Sequence, residues 1–182
     1  MSKRTKFSHS DVMIDIETLS TEKNAAIVSI AAKKFNPFSP ENDGEALAIF
    51  VDIEDCKALG LHQSDSTMEW WKKNDAEVYK YNFESTPRLP LKEAVEQLNN
   101  FIRGSTRYWC QGMNFDCPIL ENAFRVVEIT PAWKYWQWRD ARTISKLHPA
   151  VGPRNDHNPA KDCENQIAVV KRVFNELKIT QC

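Results

Sequence analysis

The sequence predicts an α/β fold, a sandwich of helices around one central mixed sheet of five strands whose first three members are antiparallel. Two observations lead there. Three β-rich runs with short polar connections come first, and helical periodicities then alternate with two more short strands. No shift in composition breaks the chain, so residues 11–180 are expected to form a single domain after a short basic tail over 1–10.

Strand one is VMIDIET, residues 12–18, in which Val12, Ile14 and Ile16 alternate with Met13, Asp15 and Glu17. AAIVSIAAKKF (25–35) and EALAIFVDI (45–53) follow as strands two and three, separated by the turn-forming NPFSPENDG (36–44). The pattern then becomes helical. STMEWWKKN (66–74) offers Ser66 as N-cap with Glu69 three residues on, a capping box. LKEAVEQLNNFI (91–102) sets Leu91, Val95, Leu98 and Ile102 on one helical face behind Pro90. TRYWCQG (106–112) reads as strand four, and PILENAFRVVE (118–128) as a helix whose boundary Cys117 marks, since a residue before proline avoids helical geometry. YWQWRD (135–140) gives strand five, and its neighbours Trp133, Tyr135, Trp136 and Trp138 read as a core aromatic cluster. In ARTISKLH (141–148) a short helix is capped by Asp140, with Thr143 in its first turn. The last helix opens at Asn158-Pro159 and carries one apolar stripe of Cys163, Ile167, Val170, Phe174 and Leu177.

Composition narrows the functional classes. At 42% hydrophobic and 27% charged the chain is ordinary for a globular protein, and no apolar run is long enough to span a bilayer. The start MSKRTKFSHS lacks the apolar segment of a signal peptide. Five cysteines, odd in number and without C-x-x-C spacing, argue against a zinc module or disulfide framework and for a reducing, cytoplasmic setting. With a net charge of −1, any contact with nucleic acid rests on local charge or on bound metal.

Side chains two apart on a strand share a face, so Asp15 and Glu17 stand side by side, about 6–7 Å apart at their Cβ atoms. Taken alone, the pair also fits a strand edge that faces solvent. Two further constellations change the weighting. NFDCPIL (114–120) places Asp116 where strand four hands over to a helix, and HNPAKDCENQI (157–167) places His157 and Asp162 at the N′ and N4 positions of the last helix, which face each other. Four carboxylates converge only around a compensating cation. Mg²⁺ fits, because it takes a few carboxylates and keeps its remaining waters. Two such ions stabilise both the attacking and the leaving oxygen of a phosphodiester displacement. His157 is the general base available near neutral pH.

D-I-E at 15–17, F-D at 115–116 and H-x4-D at 157–162 resemble, in order and spacing, the three motifs of the histidine-bearing branch of the DEDD exonucleases, which have the RNase H-like fold. STMEWWKKNDAEV (66–78), WCQGMNFDCPIL (109–120), WRDART (138–143) and HNPAKDCENQI (157–167) extend the resemblance to the phage exodeoxyribonuclease A type and related prophage and bacterial 3′–5′ exonucleases. The resemblance implies an enzyme that removes nucleoside 5′-monophosphates from single-stranded or frayed 3′ ends with two Mg²⁺ or Mn²⁺ ions. It implies Asp15, Glu17, Asp116 and Asp162 as metal ligands, Asp15 bridging, and His157 as the group that activates water. Thr18 and Leu19, after the first motif, become candidates for cradling the terminal nucleotide, and Trp70 or Trp71 for stacking a base. Arg139, Arg142, Lys146 and Lys161 are candidate phosphate-steering cations, each equally readable as a solvated surface charge.

One feature departs from the wider family. Where many relatives carry His-Asn, this chain has Gln111-Gly112, as the exodeoxyribonuclease A group does, and Asn114 is a candidate stand-in for the missing contact. DNA is the expected substrate and RNA the alternative. A catalytically lapsed nucleic-acid-binding module, or a small structural protein with scattered surface acids, would be the rival classes. Some relatives are dimers, so the resemblance admits a homodimer, and it involves no membrane.

Overall fold

The computed structural model describes residues 10–39, 43–147 and 156–180. The expected basic tail lies, apart from Ser10, outside the described residues, as does the end of the helix expected to run to His148. Six strands form one mixed sheet in the order β4-β3-β2-β1-β5-β6. Here β1 is Asp11–Thr18, β2 Ile27–Phe35, β3 Ala46–Val51, β4 Arg88–Leu89, β5 Arg107–Cys110 and β6 Trp138–Asp140. β1, β2 and β3 pair antiparallel, while β5 joins β1, β6 joins β5 and β4 joins β3 in parallel. The sheet therefore carries the expected antiparallel opening, with one more strand than the sequence signalled. β4 is two residues long, too short to leave a periodic trace.

β1 is the strand about which the molecule is built, because both of its faces are covered. Val12, Ile14 and Ile16 pack with Leu91, Val95 and Leu98 of α4 (Leu91–Ile102) and with Ile119 and Phe124 of α5 (Asp116–Val126). Met13 faces the other way, into a smaller cluster with Ala31, Phe35, Trp109 and the Cys163, Ile167, Val170 and Phe174 stripe of the last helix, α7 (Pro159–Glu176). Full burial of each large apolar side chain is worth roughly 1.5–3 kcal/mol, so the stripe pins α7 across the face that carries Asp15 and Glu17. Leu177 is not part of it. It caps the helix C-terminus and is 47% exposed.

Several boundaries move, each for a local reason. The third predicted strand stops at Val51, because Asp52 accepts the N–H groups of Glu54 and Asp55 and starts helix α1 (Ile53–Ala58). Helix α2 (Asp65–Lys73) is capped by Ser64 rather than Ser66, whose hydroxyl is instead 2.7 Å from that of Ser64. A third helix, α3 (Ala76–Glu84), capped by Asp75, follows without a sequence expectation. α5 begins at Asp116 rather than after Cys117, with Pro118 accommodated in its first turn. The predicted fifth strand is a 3₁₀ turn over Tyr135–Gln137 followed by only three strand residues, and α6 (Ala141–Ser145) follows it. The aromatic cluster divides accordingly: Trp133 and Trp138 are buried, whereas Tyr135 and Trp136 are 82% and 61% exposed.

Candidate active site

The C-terminal half of β1, the start of α5 and the start of α7 meet at one cavity of about 460 Å³, whose wall includes Asp15, Glu17, Thr18, Trp70, Asp116, Arg142 and His157. Carboxylate oxygens of Asp15, Glu17 and Asp162 all lie within 4.8 Å of one another. The strand pleat supplies the first two, and α7 brings the third across 145 residues of chain. Asp162 stands in the first turn of α7, whose start is fixed by Asn158, which accepts the Lys161 N–H, and by Pro159. Asp116, 3% exposed at the first turn of α5, lines the same cavity but lies outside that tight trio.

These acids are poorly compensated by the protein. Burial, opposed by a hydrogen bond from Gln166 and reinforced by Asp162, pushes the Asp15 carboxyl up from 3.8 to about 7. Burial and then the charges of Asp15, Asp162 and Asp116 hold Glu17 well above the usual carboxylate range. Asp116 is raised in the same way, by burial and Asp15, against backbone hydrogen bonds from Ile16 and Asp116 and the charge of Arg142. Burial also raises Asp162, against an N–H from Asp156 at 2.8 Å. Its second oxygen, Oδ2, is buried with no hydrogen-bond partner. Buried polar atoms are almost always satisfied, so an orphaned oxygen on one of three clustered carboxylates is what a cation would complete. The donor set is all oxygen, which suits a hard divalent ion and not zinc or copper.

His157 adopts a left-handed backbone conformation (φ 52°), a region in which non-glycine residues are uncommon. Its Nδ1 is 3.9 Å from Glu17 Oε1, and its ring meets Trp70 edge-on at 4.8 Å. Asn82 of α3, fully buried, donates to the His157 carbonyl at 2.8 Å and accepts from Ser29 at 2.7 Å. Ser29 is the cross-strand neighbour of Glu17, so Asn82 ties the histidine to β2, the strand paired with the one that carries the acids.

Two residues of the site escape the sequence reading. Gln166 donates to Asp15 at 2.8 Å and is 2% exposed. It stands four residues after Asp162, so both lie on one helix face, and that spacing was the available signal. Asn82 gave no signal, because neither its helix nor its long-range partners are visible in local pattern.

The other candidates separate clearly. Trp71 is buried and donates to the Thr18 carbonyl, while Trp70 is 45% exposed in the cavity wall. Thr18 reaches the cavity, with its hydroxyl donating to the Ser20 carbonyl. Leu19 does not wedge against a base: its side chain is fully buried in the larger apolar cluster. Asn114 is exposed and lies outside the cavity wall. Of the four candidate cations only Arg142 reaches the wall, and Arg139 donates to the carbonyls of Trp136 and Trp138 instead.

Residues 10–174 match the model of the 3′–5′ exoribonuclease Rv2179c-like domain. The exodeoxyribonuclease of Enterobacteria phage T4 is 29% identical, over 73% of this chain and 69% of the phage protein. The structure of exonuclease X in complex with 5′-overhanging duplex DNA shares the fold, with a TM-score of 0.56 at 16% identity, over 93% of this chain and 94% of that one.

Proposed function

We propose a reaction for this site on the premise that the chain belongs to the Rv2179c-like 3′–5′ exoribonuclease domain family and is a 3′–5′ exonuclease of the DEDD type, dependent on a divalent metal. The reaction is hydrolysis of the terminal phosphodiester of a single-stranded or frayed 3′ end, releasing a nucleoside 5′-monophosphate. One observation carries it: three carboxylates within 4.8 Å, one with an orphaned buried oxygen.

Asp15, Glu17 and Asp162 would hold the metal, Mg²⁺ or Mn²⁺, with Asp116 contributing from the same cavity directly or through water. Two such ions, when bound, neutralise charge that develops on the attacking and leaving oxygens. Asp15, anchored by the 2.8 Å hydrogen bond from Gln166, would supply its carboxylate to them from the strand. His157 takes the proton from the attacking water, and its place beside Glu17 puts that base at the edge of the acidic trio. The exposed face of Trp70 stacks a base near the end, a contact worth roughly 1–3 kcal/mol. Thr18 is placed to touch the terminal nucleotide.

DNA is the proposed substrate, by kinship with the phage exodeoxyribonuclease. The second reading, RNA, rests on the family description. Digestion of DNA and RNA oligomers of one sequence, labelled at the 3′ or the 5′ end, tests polarity, sugar and metal together. A 3′ label released first as mononucleotide, only with Mg²⁺ or Mn²⁺ and faster from DNA, is the expected result. Early 5′ release, internal cutting or undiminished activity in EDTA would overturn the mechanism, and faster RNA digestion would select the second reading.

A further inference from the structure

A polyanionic strand must enter a cavity walled by carboxylates. Among the described residues in that wall, Arg142 is the sole permanent cation. Its guanidinium is held in place by a local device. Asp140 Oδ1 accepts both the Gly112 N–H at 3.1 Å and the Arg142 N–H at 3.0 Å, so one carboxylate joins the loop after β5 to the start of α6. The Thr143 hydroxyl, at 3.0 Å, holds the other oxygen. Arg142 Nη2 then donates to the Gln111 carbonyl at 3.2 Å and lies across Gly112.

Gly112 has a φ of 113°, and a Cβ there would come within 3.2 Å of Nη2 and 3.4 Å of Cζ. A side chain at this position would be strained by the positive φ and would crowd the guanidinium, which would have to give by a few tenths of an ångström. Gln111-Gly112 is thus the seat of an arginine. Guanidinium carries five N–H donors in a fixed fork that matches phosphate oxygens, and the Gln111 carbonyl takes one of them, on Nη2.

We propose that Arg142 is a substrate-binding residue that grips the internucleotide phosphate next to the scissile one, and that Gly112 lacks a side chain to admit it. This rests on the exonuclease reading above and adds to it the element that holds the strand as it enters.

The test uses the full chain and a single-stranded DNA oligomer, with one methylphosphonate placed at the second or the third linkage from the 3′ end. For the wild type, a neutral second linkage, next to the scissile one, should lower kcat/KM about 10–100-fold, the scale of a lost hydrogen bond to a charged group, and a neutral third linkage should not. Arg142→Ala should lose a similar factor on the all-phosphate oligomer and nothing more at that linkage, and Arg142→Lys should recover part of it. Gly112→Ala, which crowds the guanidinium without removing it, should lose only part of the Arg142→Ala factor. Equal activity of Arg142→Ala and wild type, or full sensitivity to the neutral linkage in Arg142→Ala, would overturn the proposal. Anisotropy of the same fluorescent oligomers, with Ca²⁺ in place of Mg²⁺, makes the comparison without turnover. A wild type that binds in an Arg142-dependent way but digests nothing would sink the exonuclease mechanism and leave the phosphate grip standing.

Discussion

Asp11 and Asp15 stand four residues apart on β1, facing the same side of the sheet, and their surroundings are opposites. Asp11 is fully buried, and the protein satisfies it completely. Arg107 clasps both its oxygens at 2.8–3.0 Å, Trp109 Nε1 donates at 2.7 Å and Ser10 at 2.8 Å. Among the described residues Asp15 has one side-chain donor, Gln166, and its other neighbours in the trio are acids. A buried carboxylate that holds a fold together recruits donors from its own chain. One that holds a ligand is left short of them, and the shortfall marks the site better than the carboxylate does.

Substitution of each by asparagine gives the largest contrast. Asp11→Asn breaks a buried, bidentate pair and should cost roughly 3 kcal/mol in urea unfolding, while the surviving folded protein keeps its turnover per molecule. Asp15→Asn, or Asp162→Asn, should reduce turnover to background with stability unchanged or higher, since a desolvated charge and its repulsions disappear. Loss of turnover in folded Asp11→Asn, or retained turnover in Asp15→Asn, would erase the distinction.

The next effect concerns how the histidine is held. His157→Ala should slow turnover about 10²–10⁴-fold, the usual range for a general base. Asn82→Ala removes partners from the His157 carbonyl and the Ser29 hydroxyl, and should cost roughly 1–3 kcal/mol of stability. Turnover should fall less than for His157→Ala. The diagnostic is the double variant. If Asn82 acts by positioning His157, Asn82→Ala adds nothing to His157→Ala in kcat, whereas a purely structural Asn82 gives additive losses.

Much of this was legible in the sequence, with a clear boundary. The strand alternation around Asp15 and Glu17, and the Asn158-Pro159 start that sets His157 and Asp162, are local patterns, and the structure puts those side chains around one cavity or trio. The cap on Asp140 was local too, and it holds. What escaped depends on distant chain. Asn82 matters only through Ser29 and His157, and the confinement of Leu19 only through the apolar cluster that encloses it. The role of Gly112 shows only when Arg142 is seen across it. Ser66 failed as a cap because Ser64, two residues earlier with the same chemistry, took the position.

The smallest effect is a dependence of stability on pH that a metal should cancel. The folded Asp15 carboxyl sits at about 7 against 3.8 for an ordinary one, so between those values the native state holds a proton that the unfolded chain has released. Stability from this group is intact below about 4 and is lost as pH rises toward about 7, the reverse of a salt-bridged aspartate. Glu17 and Asp162 are raised too, so they push in the same direction. Divalent cation binds the ionised acids, so the gain in Tm on adding Mg²⁺ should be small near pH 5 and largest above pH 7. There, a concentration of about 100 times Kd supplies about 2.7 kcal/mol, or roughly 5–10 °C for a chain of this size. Asp15→Asn should flatten most of the metal-free slope, while Asp11→Asn should lower Tm at every pH and leave the Mg²⁺ increment in place. An Mg²⁺ increment that ignores pH, or that survives Asp15→Asn intact, would mean the ion binds elsewhere, and the two aspartates of β1 would no longer differ in kind.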